Sequence, residues 1–213
     1  MQLARNISLF LFWALILFLS VYFFLTNVAI YFTGFRSKVF GDAFFHNQVW
    51  VVIHLVGGTL ALFLGPLQFW KYFRNRYLHV HRFTGKVYMF GVFLVGLSAL
   101  RLSLISFCHP CRVSLFILAS LALLSTAFAW KAIKAKKVEL HRQFMIRSFV
   151  VVFSFVAVRI DDIAALDFFF GTTEDPTFRR VINEYFFSFV PLIVAEICMV
   201  WFPSIYSDRK KVW

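Results

Sequence analysis

The sequence predicts an all-α fold, a polytopic membrane helical bundle of six transmembrane helices in one domain spanning 1–213, with both termini cytoplasmic. Three observations carry this expectation. Of the 213 residues, 61% are hydrophobic and only 15% charged, where an ordinary soluble domain has about 25% charged residues. Six apolar segments, near 7–33, 48–70, 85–107, 112–131, 145–169 and 181–204, suit a hydrocarbon core that takes about 20 helical residues to cross. Lys and Arg gather in alternate connections, as six spans require. The net charge of +12 does not imply a nucleic-acid partner, because the basic residues sit beside apolar runs rather than on a soluble face. The expected partner is the lipid bilayer.

The first segment holds no charge from Asn6 to Phe35. That is too long for a signal-peptide core, and no small-x-small cleavage pattern follows, so it reads as a retained membrane helix. The second segment carries His54, Gly58, Ala61, Gly65 and Gln68 at helical steps of 4, 3, 4 and 3. This spacing lines them up on one face, with a polar side chain near each end and small residues between. Such a stripe admits either another helix backbone or a flat ligand.

Orientation follows from the connections. Lys71, Arg74, Arg76, Arg82 and Lys86 lie between segments two and three, and Lys131, Lys134, Lys136, Lys137, Arg142 and Arg147 around the turn between four and five. Arg209, Lys210 and Lys211 close the chain, while the alternate loops are nearly neutral. The basic side is the cytoplasmic one. Trp70, Tyr72, Tyr77 and Trp130 stand near that side as interface anchors.

Ionisable residues also lie inside the apolar runs: Arg101 in the third, Arg159, Asp161 and Asp162 in the fifth, Glu196 in the sixth. A charge near the bilayer centre costs at least a few kcal/mol, so such residues face a bundle interior, pair up and mark function. At about 1.5 Å rise per residue, His54, Arg101 and Asp161 reach one level in the outer third. His54, Arg101, Arg159, Asp161 and Asp162, with Glu196, are therefore the expected substrate or proton cluster. The alternative is a salt-bridge knot that fixes helix packing.

A second polar set lies toward the basic side: Gln68, His79, His81, His141, Arg142, Arg147 and Glu196. His81 and His141 each precede an Arg at a helix start, and two imidazoles from neighbouring helices are what the iron of a b-type haem takes. Arg82, Arg142 and Lys86 then neutralise the haem propionates. The alternative is that these histidines touch lipid headgroups. His54 has no transmembrane partner histidine, so an arrangement of two haems on four such ligands is not expected. Cys108 and Cys111, in the turn Cys-His-Pro-Cys, either staple that turn as a disulfide or shuttle electrons. Arg112 stands where a c-type haem motif needs His, and Cys198 is expected to pack. There is no Walker loop, G-x-S-x-G, H-E-x-x-H or dinucleotide fingerprint.

Three stretches, H-L-V-G-G-T-L-A-L-F-L-G-P-L-Q-F from His54, H-R-F-T-G-K-V-Y from His81 and H-R-Q-F-M-I-R-S-F from His141, resemble a bacterial predicted membrane protein family, domain of unknown function 2306. The resemblance covers about residues 46 to 165. It implies a multi-pass protein of the bacterial inner (cytoplasmic) membrane and assigns no catalytic residue. The His-bearing helices also resemble the cytochrome b561-like haem-membrane superfamily, whose four-histidine pattern is incomplete here. The leading functional expectation is a b-type haem-binding or quinone-linked electron-transfer protein, a membrane oxidoreductase with haem b, a quinone and a redox partner. The rivals are a cofactor-free small-molecule transporter or ligand-binding membrane protein, and a structural or assembly factor.

Overall fold

The computed structural model describes residues 2–32, 43–158 and 175–208, and every regular element among them is helical. Helix α1 begins as Gln2–Phe23, passes through a π turn at Phe24–Val28 and closes as Ala29–Phe32. Then follow α2 (Ala43–Phe69), a short α3 (Lys71–Arg76), α4 (Leu78–Leu104), α5 (Cys111–Lys134) and α6 (Val138–Val158). Helix α7 starts as Pro176–Glu196, crosses a π turn at Ile197–Trp201 and continues as Phe202–Asp208. Six of these helices are long and apolar enough to cross a membrane, one for each predicted segment. The six residues of α3 are too few for that and have no counterpart among the predicted segments. The last part of the fifth predicted segment, 159–169, lies outside the described residues.

The chain divides into two compact units, Met1–Leu102 and Ser103–Trp213. In the first, α1 meets α2 through aromatic pairs: Trp13 stacks on Phe69 at 5.9 Å, and Phe24 meets Phe63 edge-on at 5.7 Å. The other faces of α1 present Phe10, Leu11, Leu15, Phe18 and Leu25 outward, as a helix bathed in lipid does. Its hydroxyls do not face that medium bare. Ser20 donates to the Ile16 carbonyl at 2.7 Å and Thr26 to that of Tyr22 at 2.8 Å, the back-bonding by which Ser and Thr satisfy themselves within a helix.

Helices α2 and α4 approach closely because glycines face each other. A Cβ placed on Gly57 would lie 2.7 Å from the Gly91 carbonyl oxygen and 2.7 Å from the Val95 nitrogen. One on Gly91 would lie 2.9 Å from the Gly57 oxygen. Ala61, Tyr88 and Val92 are fully buried beside this crossing. Lipid offers no hydrophobic drive for helices to pair, so close backbone packing supplies the attraction.

The second unit is built on α5, whose buried line Cys111, Ser114, Leu118, Ala122, Ser125, Ala129 and Ala132 is small at every step but one. Helix α6 runs antiparallel along it after a tight turn. Lys137 N–H donates to the Ala132 carbonyl at 2.9 Å and Lys136 N–H to that of Ile133 at 3.0 Å, with Lys136 in the left-handed region at φ 59°. That is a Schellman ending with Lys where Gly is usual. Helix α7 is started by Asp175, whose side chain accepts the Thr177 N–H at 2.8 Å, with Pro176 in the first helical turn. It packs on both α6 and α5.

Candidate functional site

In the first unit, polar side chains close both ends of the α2–α4 contact. Near one end His54 Nδ1 meets Ser98 Oγ at 3.4 Å. Near the other Gln68 Nε2 donates to Thr84 Oγ1 at 3.1 Å, and the space over Gly85 is filled by the Gln68 carbonyl oxygen, 2.9 Å from where a Cβ would stand. The stripe read on the second segment therefore receives another helix rather than a flat ligand. Its edge runs through Gly57 rather than Gly58, since a Cβ on Gly58 would meet nothing closer than Val95 Cγ2 at 3.6 Å. His81 is half-buried and Arg82 exposed at the first turns of α4.

Arg101 departs from the expectation of an interior charge. It is exposed, because α4 ends at Leu104 rather than 107 and so places Arg101 in its last turn. From there a long side chain can run its stem along apolar surface while its charge reaches the polar layer. Of the expected cluster, Arg159, Asp161 and Asp162 lie outside the described residues. Among the described residues no group of three or more His, Cys, Asp or Glu side chains is placed to hold a metal ion.

In the second unit, His141 is half-buried and its Nδ1 lies 2.9 Å from the Ala129 carbonyl oxygen. A carbonyl accepts only, so Nδ1 carries the proton and the hydrogen bond fixes the ring. Arg142 is not free for a propionate: it forms a forked pair with Glu139, whose carboxylate lies one turn earlier on α6. Arg147 forms a second forked pair, across helices, with Glu196 of α7, and its guanidinium also lies over the Phe144 ring at 5.0 Å. Between α5 and α6, Thr126 and Ser148 share a buried hydrogen bond of 2.8 Å.

Cys108 and Cys111 are joined in a disulfide across a Cα separation of 5.2 Å, and both are buried. The turn they staple is held by its neighbours. Tyr185 Oη donates to the Pro110 carbonyl at 3.1 Å, Arg112 Nε to that of Ser106 at 2.9 Å, and Arg180 covers the Phe107 ring at 4.6 Å. Cys198, expected to pack, is exposed on the outward side of α7.

The sequence reading passed over one group. Asn183, Glu184 and Ser188 are buried on α7, Glu184 at 9% exposure and Ser188 at 0%, and Ser188 Oγ reaches Glu184 Oε1 at 3.5 Å. The signal was an acid inside the run 181–204 with a hydroxyl one turn later. Its place near the run's outer end sets it close to the boundary between span and loop. Glu184 and Glu196 are 12 residues apart on α7, roughly 18 Å along the axis. Tyr185 places the start of α7 beside the start of α5, and α6 runs against α5, so α6 and α7 are antiparallel. With Arg147 facing Glu196, that register brings the buried Ser154 of α6 close to the level of Ser188.

Comparisons with known proteins agree with the membrane character. Neither the curated proteins nor the solved structures gave a match, and nothing found bears on the likeness to cytochrome b561. The model of one family, described as predicted membrane protein (DUF2306), matches residues 51–199, well over half of the chain. With its six helices able to cross a bilayer, this multi-pass membrane protein belongs to that family.

Proposed function

We propose that the protein is a small-molecule transporter that moves protons through its second unit, with Glu184 as the group that takes up and releases the proton. The observation that supports this reading is a carboxyl buried at 9% exposure inside a membrane-spanning helix. An ionisable residue is kept in such a place at a cost of several kcal/mol, and proton relays are built from these residues. Polar side chains continue inward from it. Ser188 bonds to Glu184, Ser154 follows at nearly the same level on α6, and Thr126 with Ser148 leads on toward Arg147 and Glu196. Protonation of Glu184 removes its charge, so the carboxyl can carry a proton through a medium that opposes the anion. The test is proton uptake into pyranine-loaded liposomes driven by a valinomycin-clamped potassium gradient. Wild-type protein should acidify the lumen and Glu184→Gln should reduce the rate at least tenfold. Wild-type flux equal to that of empty liposomes refutes the reading.

One observation favours a second reading, in which the protein binds a b-type haem. The hydrogen bond from His141 Nδ1 to the Ala129 carbonyl leaves Nε2 for a metal, and a backbone carbonyl commonly orients a metal-bound imidazole in this way. A Soret band in the purified protein that is lost in His141→Ala favours it. A colourless protein after expression with added haem refutes it.

A further inference from the structure

We propose that the turn joining α2 to α4 is a binding surface for anionic phospholipid. The turn is W-K-Y-F-R-N-R-Y from Trp70 to Tyr77, basic and aromatic side chains interleaved. It connects two membrane-spanning helices that end at Phe69 and begin at Leu78, so it lies in the headgroup layer. Lys71, Arg74, Arg76, Arg82 and Lys86 supply five cations, and the sequence has no Asp or Glu between Asp42 and Glu139. Among the described residues the ion pairs are Arg142 with Glu139 and Arg147 with Glu196, so none of these five cations is paired. In the basic turn between α5 and α6, Lys134 lies over the Trp130 ring at 5.0 Å and Arg142 is held by Glu139, while Lys131, Lys136 and Lys137 are exposed. The charge left on the first turn calls for phosphate from outside the chain.

The aromatic residues say that this phosphate belongs to a lipid. Trp70, Tyr72 and Tyr77 are 55%, 65% and 51% exposed, and amphipathic rings at a span's end occupy the zone just beneath the phosphates. Trp70 stacks on Phe73 at 6.2 Å and Phe73 meets Tyr77 at 6.1 Å, so the rings form a continuous row and the cations are set beside it. The backbone is held as well. Trp70 N-caps α3 in an extended conformation, Arg74 and Tyr77 N–H groups close on the carbonyls of Trp70 and Phe73, and Gln68 ties the base of the turn to Thr84. A pinned cationic loop loses little freedom when a headgroup docks, which favours selective binding over a diffuse ion cloud.

Native mass spectrometry of the detergent-purified full chain, titrated with dioleoyl phosphatidylglycerol or dioleoyl phosphatidylcholine, tests the proposal. The wild-type protein should retain the anionic lipid in at least tenfold preference, and excess inorganic phosphate should not displace it. Two separate sets of changes, Lys71→Gln with Arg74→Gln and Arg76→Gln, and Arg82→Gln with Lys86→Gln, should each lower that preference several-fold. The second set leaves α3 untouched and keeps the test open if the first does not fold. Equal retention of both lipids by the wild type, release by inorganic phosphate, or an unchanged preference in either folded set overturns the proposal.

Discussion

Replacing Gly57 by alanine should separate α2 from α4, whereas the same change at Gly58 should not. A Cβ on Gly57 falls 2.7 Å from two backbone atoms, Gly91 O and Val95 N, and 2.8 Å from Leu94 Cβ. None of these can swing aside. Moving the closest from 2.7 Å to the 3.4 Å at which ordinary contact begins needs about 0.7 Å of helix separation. Overpacking of this kind costs about 1–3 kcal/mol, against roughly 0.5–1 kcal/mol that alanine contributes over glycine in a helix. The balance for Gly57→Ala is a loss of about 1 kcal/mol. At Gly58 the nearest atom would be Val95 Cγ2 at 3.6 Å, so only the helix contribution remains, a gain of up to about 1 kcal/mol. The gap of about 2 kcal/mol corresponds to roughly 4–8 °C for a chain of this size. Thermal unfolding of the two purified variants in the same detergent reads it directly. A Gly58→Ala protein as destabilised as Gly57→Ala, or a Gly57→Ala protein with wild-type stability, refutes the close crossing. Gly91→Ala should add little to Gly57→Ala, because one separation relieves both contacts.

Two further outcomes concern the second unit. Arg147→Gln and Glu196→Gln should each destabilise it by about 2 kcal/mol, because each leaves a partly buried charge without its partner. The doubly substituted protein should recover most of that loss, as read in a double-mutant cycle of chemical or thermal unfolding. Lys136→Gly should stabilise the protein by about 1 kcal/mol, since the residue at φ 59° closing α5 then has no Cβ to strain. An unchanged melting temperature would contradict that assignment.

The six spans were legible because membrane spanning is a property of length and composition, which neighbours do not alter. Faces were harder to read. The periodicity that selected His54, Gly58, Ala61, Gly65 and Gln68 tolerates a one-residue shift at each step, and the contact edge passes through Gly57, Ala61 and Gln68. Which of two adjacent glycines meets a neighbouring backbone depends on helix rotation, and rotation is set by the partner. Arg101 was misread for a related reason. Its depth is counted from a helix start near Lys86, whereas α4 begins at Leu78 and ends at Leu104, which puts Arg101 in the last turn. Glu184 was passed over because it stands close to a predicted boundary, where a carboxylate is ordinary. Only the packing of α7 on α5 and α6 shows that it is buried.

Four polar residues of the three family-like stretches are drawn into contacts with adjacent helices, and this follows from the medium. In lipid, helices associate through small residues and through hydrogen bonds between side chains and backbone, so a stretch rich in His, Gly, Gln and Thr looks the same whether it holds a ligand or another helix. His54 goes to Ser98, Gln68 to Thr84, His141 to the Ala129 carbonyl and Arg147 to Glu196. Each contact lies near the end of a small-residue face, where it sets the register along that face. A residue held in this way can act in chemistry only through an atom the contact leaves open, such as Nε2 of His141. Glu184 bonds to Ser188 within one helix and one turn, and its burial inside a spanning helix is what the proposed proton path rests on.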